Sequence, residues 1–308
     1  MQRRMTNTNR LTLLDGGTGR ELQRMGAPFR QPEWSALSLI EAPSAVQDVH
    51  HRYLNAGADV VTANSYAVTP FHIGAERFAS DGLVLADRAG RIGRAAIDSF
   101  GRGRLAGSLP PVLGSYRPDL FSETAAAPIL DRLIEGLAPH VDVWLGETLS
   151  SIPEARLVAG RLTGRTAPLW LSFTLMDDAL EYRGRLRSGE AVADAARAAL
   201  ELGAEALLFN CSQPEVMAEA VSEARAAMGA ANLQIGVYAN AFLPQPKHAV
   251  ANDGLDPIRE DLTPQTYLQF ASQWAERGAS IVGGCCGVGP EHIAALAAAR
   301  DTLAHAVR

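Results

Sequence analysis

Short apolar runs alternate with longer stretches of helical periodicity along almost the whole chain, a pattern that predicts repeated βα units around a parallel sheet. Eight runs read as strands: Leu11–Asp15, Ala58–Ala63, Arg104–Gly107, Val141–Gly146, Leu169–Leu175, Ala206–Phe209, Gln234–Tyr238 and Ser280–Gly283. Several are apolar throughout, as in Ala206-Leu207-Leu208-Phe209, which suits strands covered on both faces. Between them, Ser44 to Ala56, Glu76 to Ile97, Glu190 to Leu202 and Pro214 to Met228 carry apolar positions at helical spacing. Pro153, Pro214, Pro264 and Pro290 stand near helix starts, where a missing N–H costs nothing. Gly57, Gly203 and Gly278 follow helical runs in the near-identical phrases Asn55-Ala56-Gly57-Ala58, Glu201-Leu202-Gly203-Ala204 and Glu276-Arg277-Gly278-Ala279. Glycine there takes the left-handed conformation that ends a helix.

No repeat, heptad, low-complexity tract or linker interrupts this rhythm. The 308 residues therefore predict a single-domain α/β protein, a (β/α)8 TIM barrel over residues 1–308 with 1–10 as a flexible lead. An open doubly wound sheet is the rival, but it calls for Gly-x-Gly-x-x-Gly after the first strand. Asp15-Gly16-Gly17-Thr18-Gly19-Arg20 is glycine-rich without that spacing.

Composition narrows the function. With 47% hydrophobic and 20% charged residues the chain has the make-up of an ordinary globular enzyme. A formal charge of −6 leaves no basic surplus for neutralising nucleic-acid phosphates. No apolar run approaches the ~20 residues of a membrane span, and Leu11 to Leu14 is too short for a signal-peptide core. The expectation is a cytoplasmic protein acting on small molecules, with no nucleic-acid or membrane partner. Its oligomeric state is open, because His292 to Val307 reads either as the eighth barrel helix or as a subunit contact.

In such a barrel the chemistry gathers at the C-terminal ends of the strands. There the runs end in Asp15-Gly16-Gly17, Asn64-Ser65-Tyr66, Glu147-Thr148, Asn210-Cys211, Asn240 and Cys285-Cys286. All three cysteines of the chain fall on this one rim. Three thiolates are an open zinc set, since a closed structural site has four protein ligands. The alternatives are an iron–sulfur cluster, a thiol-redox role for the adjacent pair, and inert buried cysteine. Asp15 reads equally as a helix cap or a ligand group, whereas Glu147, a poor cap, wants a cationic partner such as a substrate amine. Asn64, Asn210 and Asn240 either satisfy loop backbone or face substrate. His50, His51, His72, His140, His248 and His292 lack zinc-site spacing and read as structural or surface groups.

Together, Asp15-Gly16-Gly17-Thr18-Gly19-Arg20-Glu21-Leu22, Glu147-Thr148, Asn210-Cys211 and Gly283-Gly284-Cys285-Cys286-Gly287 make the chain resemble the homocysteine S-methyltransferase family nearly end to end. The resemblance implies a zinc-dependent (β/α)8 barrel that methylates homocysteine to methionine, with Cys211, Cys285 and Cys286 as the Zn2+ ligands. It implies that Asp15 and Glu147 hold the amino-acid end of homocysteine and serve the catalysis, with backbone amides near Gly16 and Gly17 for its carboxylate. Tyr66 falls where some relatives place a tyrosine that fills the metal's fourth position. Asn64, Asn210 and Asn240, on the same rim, are the further candidates for substrate contact. The family's Gly-Pro-Tyr-type sequence after the third strand is replaced by Gly107-Ser108-Leu109-Pro110-Pro111-Val112-Leu113-Gly114-Ser115-Tyr116, so the donor pocket differs. S-methylmethionine, S-adenosylmethionine and betaine all stay open as donors. A non-catalytic thiol-binding barrel is the remaining alternative.

Overall fold

The computed structural model describes residues 11–178, 184–245, 252 and 254–307. The flexible lead expected at 1–10 and His248 lie outside the described residues. Eight parallel strands follow the predicted order: β1 (Thr12–Leu13), β2 (Val60–Thr62), β3 (Arg104–Leu109), β4 (Val143–Leu149), β5 (Leu169–Phe173), β6 (Ala206–Asn210), β7 (Gln234–Tyr238) and β8 (Ile281–Val282). Each pairs with its sequence neighbour, and β8 pairs back onto β1 through Thr12 opposite Ile281. A single parallel bridge between Leu14 and Val60 joins β1 to β2 and closes the barrel.

The helices are α1 (Thr18–Arg24), α2 (Ser35–Glu41), α3 (Pro43–Ala56), α4 (Pro70–Ile73), α5 (Ala75–Phe100) and α6 (Glu123–Leu137) in the first half. The second half has α7 (Ile152–Arg161), α8 (Val192–Glu201), α9 (Pro214–Met228), α10 (Pro264–Glu276), α11 (Pro290–Ala298) and α12 (Arg300–Ala306). Pro153, Pro214, Pro264 and Pro290 all sit in the first turn of a helix. Ser151 adds a reciprocal cap with Glu154 at the start of α7, satisfying two orphan donors at once. The segment from His292 onward divides into α11 and α12, and α11 packs against α10 and α3 as the eighth barrel helix.

Two apolar layers follow from the alternation of side chains along each strand. The larger lies between strands and helices, and the smaller fills the barrel with Val60, Val143, Leu145, Trp170, Leu208 and Ile281 among others. On β4, Val143 and Leu145 belong to the interior and Trp144 to the outer layer. Two residues beyond Leu145 comes Glu147, which carries the inward row into a carboxylate at the barrel mouth.

Candidate metal centre and active site

On β6 the same alternation sends Ala206 and Leu208 inward, so continued extended backbone would turn Cys211 away from the axis. Cys211 instead takes φ +51°, in the left-handed region, and its Sγ stands 2.6 Å from that of Cys285. The ligand atoms of Cys211, Cys285 and Cys286 all lie within 4.8 Å of one another. The Cys285-Cys286 loop is stitched to its neighbours by backbone bonds: Gly284 N to Asp15 O at 2.9 Å, Cys285 N to Ala239 O at 2.9 Å, and Ala241 N to Cys286 O at 2.8 Å. Gly17 lets the loop after β1 press against it, since a Cβ there would stand 2.7 Å from the Cys285 carbonyl oxygen.

The three sulfurs suit a soft, thiolate-binding cation. Zinc–sulfur bonds of ~2.3 Å would place tetrahedral sulfur pairs roughly 3.8 Å apart, within the 4.8 Å span of this cluster, and Cys211 and Cys285 would have to part to hold such an ion. Protons are shared unevenly among the free thiols. Hydrogen bonds from Cys211 and Cys285 draw Cys286 well below the usual thiol range, and hydrogen bonding with Cys211 and Cys286 pushes Cys285 well above it. A coordinated cation removes that competition, because a ligating thiol is deprotonated outright.

The cysteines form part of the wall of a cavity of about 170 Å³, with Asp15 and Glu147 in the same wall. Asp15 does not cap α1, whose N-cap is Gly17 without a side-chain bond. Its carboxylate accepts from the Thr62 amide at 2.7 Å and the Thr62 hydroxyl at 3.1 Å, which aims it across the mouth. Glu147 accepts from Ser108 Oγ at 2.6 Å. Burial raises Asp15 to about 7 against the pull of the Thr62 hydrogen bonds, and Glu147 raises it further. Burial likewise lifts Glu147 to about 7, opposed by Ser108 and reinforced by Cys211. Two carboxyl groups so destabilised as anions favour a cationic ligand.

Gly16, Gly17, Asn64 and Tyr66 also line the cavity. Gly17's amide is committed to Val288 O at 3.0 Å, so only that of Gly16 is free for a ligand. Tyr66's hydroxyl pairs with Ser115 Oγ at 2.6 Å, and Asn64 donates to Ser35 O at 3.0 Å. Asn210 and Asn240 are fully buried and absent from the wall. Asn210 Oδ1 accepts from the Thr148 amide (3.1 Å) and Ser172 Oγ (2.7 Å), and its Nδ2 donates to Thr148 Oγ1 (2.8 Å). Asn240 accepts from the Phe242 amide at 3.3 Å. Both support the rim from behind, as residues beside the loops they order.

Sequence reading missed Trp34, Tyr238, Phe242 and Asp256, which also line the wall together with Tyr116 of the divergent loop after β3. His72, read as structural or surface, lines the cavity too while its Nδ1 bonds Pro32 O at 3.0 Å. Trp34, Tyr116, Thr148 and Cys211 are the four described non-glycine residues at positive φ, and all four face this one cavity. Such strain gathers where surrounding structure over-determines a functional geometry. No lysine or arginine lines the cavity among the described residues.

The family model for homocysteine S-methyltransferase matches residues 12–300. The chain belongs to this family. Homocysteine S-methyltransferase of Escherichia coli (strain K12) is 30% identical over 94% of this chain and 94% of that protein. Selenocysteine Se-methyltransferase of Brassica oleracea var. italica is 26% identical, covering 96% of this chain and 90% of its own. Among solved structures, the metallated form of the E. coli homocysteine methyltransferase MmuM superposes with a TM-score of 0.73 at 28% identity, covering 96% of this chain and 98% of that one. The family membership accords with the barrel, and no described helix is long and apolar enough to cross a membrane.

Proposed function

We propose that this homocysteine S-methyltransferase-family chain moves a methyl group from a cationic onium donor to the thiolate of homocysteine, giving methionine, with Zn2+ held by Cys211, Cys285 and Cys286. The observation that carries the reading is the convergence of three sulfurs on one cavity wall with the carboxyl groups of Asp15 and Glu147 and, among the described residues, no lysine or arginine. When bound, the ion supplies a homocysteine sulfur that stays deprotonated, and therefore nucleophilic, at neutral pH.

The chain's own residues do the rest. Asp15 and Glu147 bind and orient the α-ammonium of homocysteine, and Gly16's amide meets its carboxylate. A sulfonium or quaternary ammonium donor is favoured over a neutral or anionic one, because the wall presents carboxyl groups, thiolates and the aromatic side chains of Trp34 and Tyr66. The donor departs as a neutral sulfide or amine, so no side chain has to protonate it. Catalysis is then a matter of alignment: two bound substrates held in line replace a chance collision. S-methylmethionine, S-adenosylmethionine and betaine each meet the charge requirement. Purified protein incubated with homocysteine and each donor in turn, with methionine measured by mass spectrometry, tests the reading; absence of methionine with every onium donor overturns it. Cys286→Ala is expected to lose both stoichiometric zinc and turnover, and full retention of either removes Cys286 from the ligand set.

A further inference from the structure

Behind the cavity wall, Asp177 and Arg187 form the one ion pair among the described residues whose two side chains are both fully buried. Arg187 Nη2 reaches Asp177 Oδ1 at 3.2 Å, and the same oxygen accepts from the Gln245 amide at 3.2 Å. Asp177 Oδ2 accepts from the amide of Gln213, two residues beyond Cys211, at 3.0 Å. Arg187 Nη1 donates to Gln245 O at 2.9 Å. The pair thus ties together the loops that follow β5, β6 and β7.

Hydrogen bonding alone does not account for the arginine, whose Nε has no partner among the described residues. Its guanidinium lies 5.1 Å from the ring centroid of Tyr116, on the loop after β3. Tyr116 is held at φ +64° and donates its hydroxyl to the Cys211 carbonyl at 3.4 Å. Cys211 is itself at φ +51°. A buried ion pair is a weak source of stability, because desolvation offsets its attraction. This one instead contacts the segments carrying two strained residues beside the sulfur cluster.

We propose that the buried Arg187–Asp177 pair is a positioning device for the metal centre. Arg187 presses Tyr116 against the backbone of Cys211, Asp177 anchors the Gln213 amide on the far side, and together they keep Cys211 in the left-handed turn that points its sulfur at Cys285. The inference rests on the metal-ligand reading of the cysteines. A flat guanidinium is required for the stack, so lysine, which keeps the charge, does not replace it.

The test substitutes Co2+ for zinc and reads the thiolate-to-cobalt charge-transfer absorption alongside kcat. Arg187→Lys is expected to stay folded and bind one metal ion, yet shift that absorption and lower kcat by about 10-fold or more, as outer contacts to metal ligands do. Tyr116→Leu, which leaves the buried pair in place, is expected to do the same. Because Arg187 acts through Tyr116, the double variant is expected to be no worse than the more impaired single one. An unchanged spectrum and kcat in Arg187→Lys, or multiplying effects in the double variant, overturns the positioning role alone. A wild-type protein without any cobalt–thiolate absorption overturns the metal reading and this inference with it.

Discussion

Glu147 follows Val143 and Leu145 in the inward row of β4, and the alternation that buries those two brings its half-buried carboxyl group to the barrel mouth. Ser108 donates to one oxygen, and with no lysine or arginine among the described residues of the wall, the counter-charge falls to a bound cation. If that cation is the ammonium of homocysteine, the contact exists before and during methyl transfer alike and acts as uniform binding. Glu147→Gln keeps the shape and removes the charge. A charge-assisted hydrogen bond of about 1.5–3 kcal/mol corresponds to a homocysteine KM raised roughly 10- to 100-fold. Initial rates at saturating donor are expected to show that rise with kcat and bound zinc little changed; a fall in kcat at constant KM would move Glu147 into the transfer step. Carboxylates at strand ends are conspicuous in an apolar pattern, which is why Asp15 and Glu147 were legible as residues. The choice between cap and ligand at Asp15 was not, because Thr62, which settles its direction, lies on another strand.

At the scale of elements, the eight strands were legible because parallel strands covered on both faces are apolar runs in any reading of the chain. The loops were not. Trp34, at the start of α2, is tied by its indole N–H to Asn252 at 2.6 Å, and Gln31 donates to Gly254 O at 2.6 Å. These contacts join segments more than two hundred residues apart, and no local pattern encodes them. Helix ends are the opposite case. Gly57 and Gly203, foreseen from near-identical phrases, have φ of +109° and +69°. Their surroundings differ: a Cβ on Gly57 would stand 2.6 Å from Ala297 Cβ on α11, whereas one on Gly203 meets nothing within 4 Å. Gly203→Ala is therefore expected to cost only the left-handed penalty, about 1 kcal/mol. Gly57→Ala adds overpacking between α3 and α11 and is expected to cost about 2–4 kcal/mol. Urea unfolding of the two variants checks the order, and equal losses would mean that α11 yields freely.

At the scale of the whole molecule, one contribution to stability weakens on the acid side, through a group far from the chemistry. His50, on α3, is completely buried, and neither ring nitrogen has a hydrogen-bond partner among the described residues. Burial, with a smaller contribution from His51, lowers it to about 4 from an ordinary 6.5. Below 6.5 the unfolded chain takes up a proton that the folded chain refuses, so the stability this histidine permits is complete above pH 6.5 and drains away as pH falls toward 4. At pH 5 the loss relative to pH 8 is about 2 kcal/mol. Buried carboxyls push the other way: Glu154, raised to about 7 by burial against its hydrogen bonds from the Ser150 and Ser151 amides, stabilises the folded state as pH falls from 7 toward 4.5. Comparing wild type with His50→Leu cancels every group the two share. The variant is expected to gain about 2 kcal/mol on wild type between pH 8 and pH 5, read as a pH-dependent separation of their urea midpoints. Parallel pH profiles would mean that His50 accepts a proton in the folded barrel as readily as in the open chain.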